Sequence, residues 1–166
     1  MVKVIGESSG IWIQQINQKY YRFFDLIQSG EFNKEWWNVY FFKEEIKQKH
    51  EMLFWLASKA AGIYAIGEVI SDPKEITLND CELGYKYCTP EFLKKFPDGN
   101  FSRPHFQCRL IKEFIDKPIL KEYLRDNPIL KDLSVIRAPQ PANFRVTKEQ
   151  WQELKQLYPA LNDSVC

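Results

Sequence analysis

Apolar residues along the chain gather in short runs, and the two longest runs lie close together. Met52–Ala57 is wholly apolar, Ile63–Ile70 is nearly so, and a short connection containing Gly62 separates them. Two such runs are typical of a β-hairpin. Because neither run alternates regularly with polar residues, both strands are predicted to be central, with both faces covered.

The segments around this hairpin predict further strands and several short helices. The pattern favours one mixed α/β domain of the α+β type over residues 1–166, with most strands antiparallel. The predicted elements are a first strand at Ile11–Gln15, a helix at Tyr20–Ile27 ending at Gly30, a candidate strand at Cys81–Cys88, a long strand at Phe106–Ile115, a helix from Pro118 through Leu124, and a helix that follows a Thr147–Gln150 capping box through Leu157.

Length and net charge limit the classes of function that this chain can have. A chain of 166 residues can bury a core without disulfide or metal staples. The 23 Lys and Arg residues nearly cancel the 22 Asp and Glu residues, which leaves a net charge of +1. This balance excludes a polycation, so any nucleic-acid binding must come from a local patch and shaped contacts.

The chain shows no pattern of membrane insertion, secretion or metal binding. No apolar stretch approaches the roughly 20 residues of a membrane helix, and the first residues lack a signal-peptide pattern. No two of the four cysteines have CxxC spacing. We therefore predict a cytoplasmic protein with no membrane association, no metal, no cofactor, and free thiols at Cys81, Cys88, Cys108 and Cys166.

The common catalytic motifs are absent. The sequence contains no GxSxG, Walker, GxGxxG or HExxH motif. Its two histidines, His50 and His105, lie in polar surroundings and are interpreted as solvated surface residues. No catalytic residue is predicted, and the chain is expected not to be an enzyme.

The aromatic residues point to a binding role. Trp36 and Trp37 follow a polar stretch and are placed in a loop, whereas Trp55 lies inside a predicted strand. Flat side chains on different elements can stack on a planar base, which is worth about 1–3 kcal/mol per base. Packing of the same residues in the core is the alternative, and it stays open at this stage.

Basic residues gather in the C-terminal half of the chain. A surface that carries them could follow the phosphates of a nucleic acid, but acidic residues are interleaved, so a solvated charged surface is the alternative. The candidates for backbone contacts are Arg103, Arg109, Arg137 and Arg145.

Four collinear segments resemble the EVE domain family, and the fit runs from about Ile11 to Leu157. The segments are a WIIQxNPxxY-like strand at Ile11–Tyr21, a W-x-V stretch running into a KKEI-like turn at Trp37–Ile46, a tryptophan followed by an AGIYAxGEV-like strand at Trp55–Pro73, and PELKDLSI-like and PQGTNFxVT-like closing segments at Pro128–Arg137 and Pro139–Thr147.

The resemblance implies a PUA-like fold, similar to that of the YTH readers of methylated adenine: a barrel-like, mostly antiparallel sheet flanked by helices. It also implies an aromatic pocket for a flipped, modified base. The base-contact residues that it implies are Trp37 and Trp55 as cage walls, Tyr87 as a second wall, Asn17 at the base edge, and Asn143 and Phe144 near the pocket mouth. Pro141-Ala142 replaces the family's glycine-threonine beside that mouth.

The function predicted from the sequence is therefore that of a non-enzymatic reader of a modified nucleobase. The base is a methylated or hydroxymethylated cytosine, or a methylated adenine, in DNA or RNA, with DNA favoured. A nuclease or other effector protein is a candidate partner. Two alternatives remain: an enzyme that hydrolyses a modified nucleotide in the same pocket, and a protein-interaction module whose pocket is vestigial.

Overall fold

The computed structural model describes residues 9–97, 102–137 and 142–162. No helix in these ranges is long and apolar enough to span a membrane. The strands are β1 (Ile11–Asn17), β2 (Trp36–Asn38), β3 (Glu51–Ala57), β4 (Gly62–Val69), β5 (Lys74–Thr77), β6 (Ser102–Glu113), β7 (Ile119–Leu120) and β8 (Asn143–Arg145). The helices are α1 (Phe23–Ser29), α2 (Pro90–Leu93), α3 (Lys121–Leu124), α4 (Ser134–Arg137) and α5 (Lys148–Leu157).

The strands form one curled sheet in the order β2-β6-β4-β3-β1-β8, with β5 added beside β6 and β7 beside β4. β1 and β3 are parallel, and every other pair is antiparallel. A parallel pair needs a long crossover, which residues 18–50 supply with α1 and β2. The mixed, mostly antiparallel, PUA-like architecture predicted from the sequence is confirmed.

The central strands are buried on both faces, as their apolar runs predict. Side chains alternate along a strand, so Phe54 and Leu56 enter one core while Leu53 and Trp55 enter the other. We call the core around Trp12, Phe23, Trp37 and Phe54 the first core. The second core, around Ile13, Leu53, Trp55 and Phe144, packs against α5.

Side chains join the two ends of the curled sheet. Gln14 on β1 donates through Nε2 to the Asn38 carbonyl oxygen of β2 at 3.1 Å. Asn143 on β8 accepts at Oδ1 from the backbone N–H of Tyr40 at 2.7 Å and of Phe41 at 3.2 Å. These side-chain bonds link β2 and the two residues that follow Val39 to β1 and β8 at the other end of the sheet. The barrel therefore closes at a seam made of amide side chains rather than of a backbone ladder.

Several sequence predictions hold at the level of local structure. The β3–β4 hairpin is present, and Gly30 ends α1 in a left-handed conformation with φ 77°. The Thr147–Gln150 capping box opens α5, with both of its reciprocal hydrogen bonds formed. The helix predicted from Pro118 begins only at Lys121, because Ile119 and Leu120 pair with β4 instead.

Two local predictions were wrong. Residues 81–87 form bends and turns rather than a strand, because backbone N–H groups in this segment donate to carbonyls within it, as from Gly84 N–H to the Cys81 carbonyl. Trp36 and Trp37 lie in β2 rather than in a loop, because β2 pairs with the long strand β6.

Cys81, Cys88 and Cys108 are free cysteines, and Cys166 lies outside the described residues.

Candidate functional site

A cavity of about 320 Å³ opens beside the seam, and we call it the seam cavity. This volume lies at the lower end of the range of ligand pockets, about 300–1,000 Å³. The end of β1, the whole of β2 and the α2 region supply most of the wall. The lining residues are Gln14, Gln15, Ile16, Asn17, Tyr20, Tyr21, Glu35, Trp36, Trp37, Asn38, Tyr40, Gly84, Cys88, Phe92, Lys95, Phe96, His105 and Ala142.

Trp37 joins the seam cavity to the first core. Only 4% of its surface is exposed, and its ring lies 4.9 Å from Phe54, 5.5 Å from Phe32 and 5.7 Å from Tyr21 between centroids. Its Nε1–H has no hydrogen-bond partner among the described groups. Trp37 is therefore both a packing residue and a wall residue, with an unsatisfied donor.

Trp36 has a different environment from its neighbour. It is half-buried and packs with Ile76, Phe92 and Phe96 around Cys81. Alternation along β2 turns the two tryptophans to opposite sides of the strand, yet both border the seam cavity. Trp36 therefore presents an aromatic surface to the seam cavity, and its removal should disturb the first core less than removal of Trp37.

A buried carboxyl group forms part of the wall. Glu35 is 3% exposed and accepts from the Tyr21 hydroxyl at Oε2 and from the Trp36 backbone N–H at Oε1, the latter at 2.8 Å. Burial raises the pKa of Glu35, and these two hydrogen bonds oppose that rise. No Lys or Arg of the described residues forms an ion pair with it.

His105 is buried in the same wall and is not a solvated surface residue, as the sequence had suggested. Its Nδ1–H donates to the Arg103 carbonyl at 2.6 Å, and burial lowers its pKa. The neutral ring then carries its acceptor at Nε2. His50 is half-buried and accepts from Trp12 Nε1–H at 3.0 Å, so that interpretation was wrong for both histidines.

Two of the base-contact residues expected from the sequence, Asn17 and Trp37, lie in the wall of the seam cavity. Asn17 accepts at Oδ1 from the Lys19 backbone N–H at 2.9 Å, which shapes the turn after β1. The other expected residues are not among the lining residues.

Trp55 and Phe144 belong to the second core, on the other side of the sheet. Tyr87 is buried in the first core and donates its hydroxyl to Glu31. Asn143 is fully buried and donates from Nδ2 to Gln14 Oε1 at 2.7 Å. Both the oxygen and the nitrogen of its side-chain amide therefore form hydrogen bonds that hold the seam.

Three of the four arginines expected to contact a nucleic-acid backbone are paired with carboxylates. Arg109 lies 3.7 Å from Glu68, and Arg137 lies 2.6 Å from Asp132. Arg145 pairs with Glu45. Arg103 alone is placed at the seam cavity, with its guanidinium carbon 3.7 Å from the ring centroid of Tyr40.

The structure adds Glu35, Tyr21 and His105 to the site, and sequence reasoning missed them. Glu35 directly precedes the two adjacent tryptophans, which was the available signal. His105 reaches the site because it pairs with Asn38 across β2 and β6. That pairing has no local signature in the sequence.

Comparison with known proteins places this geometry in a family. The EVE domain model matches residues 10–157. The chain belongs to the EVE domain family. No curated protein sequence matches this one significantly.

Solved structures share the fold at low sequence identity. Human THYN1, in complex with DNA containing 5-methylcytosine, aligns with a TM-score of 0.56 at 13% identity and covers 89% of this chain and 96% of its own. ASCH from Zymomonas mobilis has a TM-score of 0.60 at 14% identity, with 89% and 95% covered. A protein from Agrobacterium tumefaciens has a TM-score of 0.60 at 14% identity, with 89% and 91% covered.

Proposed function

We propose that this protein is a non-enzymatic nucleic-acid-binding module that holds one flipped, modified base in the seam cavity. The base is a methylated or hydroxymethylated cytosine, or a methylated adenine, in DNA or RNA. The observation that carries the proposal is an aromatic-walled cavity in an EVE domain, with a buried carboxyl that has no cation partner among the residues the structure describes.

Aromatic faces supply the stacking part of recognition. Tyr20, Tyr21, Trp36 and Tyr40 border the cavity and are only partly buried. A flipped base is held by stacking between such side chains. A methyl group adds only about 1 kcal/mol of apolar burial, so selectivity depends on a close fit against these walls.

The polar groups of the wall supply the edge contacts. Each carboxylate oxygen of Glu35 has two lone pairs, and Tyr21 and Trp36 occupy one on each oxygen. The remaining lone pairs suit an N–H donor, such as the exocyclic amino group of cytosine or of methylated adenine. An acceptor on the base would in turn satisfy the unpaired Nε1–H of Trp37.

The relatives support cytosine as the first base to test. The THYN1 structure contains DNA with 5-methylcytosine, and cytosine carries the amino donor that Glu35 would accept. In this proposal Asn17 and Trp37 contact the base, while Trp55, Tyr87, Asn143 and Phe144 support the walls. A nuclease or other effector partner remains a prediction.

Binding to matched oligonucleotides tests the proposal. Short duplexes and single strands would carry 5-methylcytosine, 5-hydroxymethylcytosine or N6-methyladenine, with unmodified controls. We expect one modified ligand to bind at least several-fold more tightly than its control. Equal affinity for all of them would leave a backbone binder, and no binding would favour a protein-interaction module.

Hydrolysis of a modified nucleotide is a second candidate, because a buried carboxyl of raised pKa can serve as a general acid. A cysteine mechanism has no support, since burial raises the pKa of the Cys88 thiol at the cavity wall to about 12. Release of a product from the modified ligand, lost in Glu35→Gln, would establish the enzyme.

A further inference from the structure

Basic side chains stand over three of the aromatic rings that line the seam cavity. They come from four separate places in the chain: the turn after β1, β5, the turn after α2, and β6. The pairs, measured from the cation to the ring centroid, are Lys95 to Tyr20 at 3.9 Å, Lys19 to Tyr20 at 5.6 Å, Lys74 to Trp36 at 5.0 Å and Arg103 to Tyr40 at 3.7 Å.

We call Lys19, Lys74, Lys95 and Arg103 the cation collar. The three lysines are exposed, and no carboxylate of the described residues lies within ion-pair distance of any of them. Arg109, Arg137 and Arg145, by contrast, each have a carboxylate partner. Three exposed cations with no carboxylate partner among the described residues therefore lie around the seam cavity.

Stacking on a ring orients a cation without cancelling its charge. An exposed cation–π pair is worth about 0.5–1 kcal/mol, and a stacked ammonium still presents N–H donors to a further acceptor. The collar is thus suited to an anion close to the aromatic walls, and less suited to a neutral ligand.

The position of such an anion follows from the geometry of a flipped nucleotide. When a base enters a pocket, rotation about its backbone carries it there while the sugar and phosphates remain outside. The phosphates on either side must then lie close to the opening. Because the collar residues come from different elements, they can contact the backbone on more than one side of the base.

We infer that the cation collar binds the phosphates that flank the flipped nucleotide, and that the ion-paired arginines of the C-terminal half do not. The inference rests on the proposed function, since it requires a nucleotide in the seam cavity. Phosphate contacts of this kind position a ligand and carry no sequence information. The collar therefore sets affinity and salt dependence, while the cavity sets base preference.

A salt titration tests the inference. Each lost phosphate contact should reduce the log–log salt slope by about 0.9 on duplex DNA or 0.7 on a single strand. The triple variant Lys19→Gln, Lys74→Gln, Lys95→Gln should lose about 2–3 units of slope on duplex. Its preference for the 5-methylcytosine duplex, or for whichever modified duplex binds best, should be unchanged.

Arg137→Gln is the matched control, because it removes an exposed cation that is ion-paired in the structure. We expect its slope to equal that of the unaltered protein, and all variants to melt normally. An unchanged slope in the triple variant, or an equal loss in Arg137→Gln, overturns the collar and leaves the proposed function intact. If the unaltered protein binds no oligonucleotide, the inference and the proposed function are both wrong.

Discussion

The two cores of the molecule differ in what they bury. The second core, on the α5 side of the sheet, is an apolar cluster. The first core borders the seam cavity, and four of the five polar residues buried in the described part of the chain lie there or at the seam, namely Gln14, Glu35, His105 and Asn143. Burying polar groups costs free energy unless they are hydrogen-bonded. One side of the sheet is thus packed with apolar residues, and the other holds hydrogen-bonded polar groups at a cavity.

The largest expected effect is a loss of stability on mutation of the apolar second core. Trp55→Ala removes a ring that is 2% exposed in the second core, and such a change typically costs about 3–5 kcal/mol. Urea unfolding should show a large drop in midpoint. Tyr123→Ala, in a residue 57% exposed, is the control and should stay within about 0.5 kcal/mol. A stable Trp55→Ala that has lost only ligand binding would restore Trp55 as a base contact.

The second-largest expected effect is a loss of stability on mutation of the seam. Asn143→Ala leaves the backbone N–H groups of Tyr40 and Phe41 and the Gln14 amide oxygen without their partner. An unsatisfied buried group costs about 1–3 kcal/mol, so we expect a loss of about 2–3 kcal/mol in unfolding free energy.

A double-mutant cycle shows whether this loss acts through the seam. Gln14→Ala and Asn143→Ala should be non-additive by at least about 0.5 kcal/mol, because the two amides share one hydrogen bond. Additive losses would mean that each residue stabilises the fold separately and that the seam is not a unit.

The features predicted correctly from the sequence are those with a local cause. The β3–β4 hairpin follows from apolar runs, the end of α1 from Gly30, and the start of α5 from the reciprocal bonds of Thr147 and Gln150. Each depends on residues a few positions apart. The family resemblance then supplied the PUA-like, mostly antiparallel barrel, but the parallel β1–β3 pair was predicted neither by the resemblance nor by local patterns.

The site was harder to predict because it depends on register between distant strands. Trp37 and Trp55 were both expected to wall the pocket, but alternation along β2 and β3 places them in different cores. His105 looked like a loop residue, yet pairing of β6 with β2 buries it beside Asn38. The four arginines were expected to form a basic patch, but three of them have acidic partners, Glu68, Asp132 and Glu45, that no local sequence pattern marks.

The third-largest expected effect is a loss of binding affinity in Trp36→Ala, and it distinguishes the roles of the adjacent Trp36 and Trp37. Trp36→Ala should weaken binding of the preferred modified oligonucleotide by about 1–3 kcal/mol, roughly 5- to 150-fold, through lost stacking. Its stability should fall less than that of Trp37→Ala, because Trp37 packs against Phe32 and Phe54 in the first core. Fluorescence titration and urea unfolding of both variants would measure the two quantities. Unchanged affinity in Trp36→Ala would remove it from the proposed site.

The smallest expected change in stability comes from Glu35→Gln, and its sign is opposite to that of the others. Burial raises the pKa of Glu35, so the folded protein keeps this proton at a pH where the unfolded chain has released it. Stability is therefore lost as the pH rises from the ordinary glutamate value of 4.5 through the higher folded value.

Glutamine cannot ionise, so Glu35→Gln should remove this loss and melt slightly higher than the unaltered protein near neutral pH, with the difference vanishing at low pH. Its amide oxygen can still accept from the Trp36 N–H, and the Tyr21 hydroxyl can rotate to accept from its amide nitrogen. Binding should change in the other direction, because a hydrogen bond to a charged group contributes about 1.5–3 kcal/mol. Melting curves from pH 4 to pH 8 and titration with the modified oligonucleotide would measure both. A variant that is less stable at neutral pH, or that binds as tightly as before, would show that Glu35 is held for structure and does not contact the base.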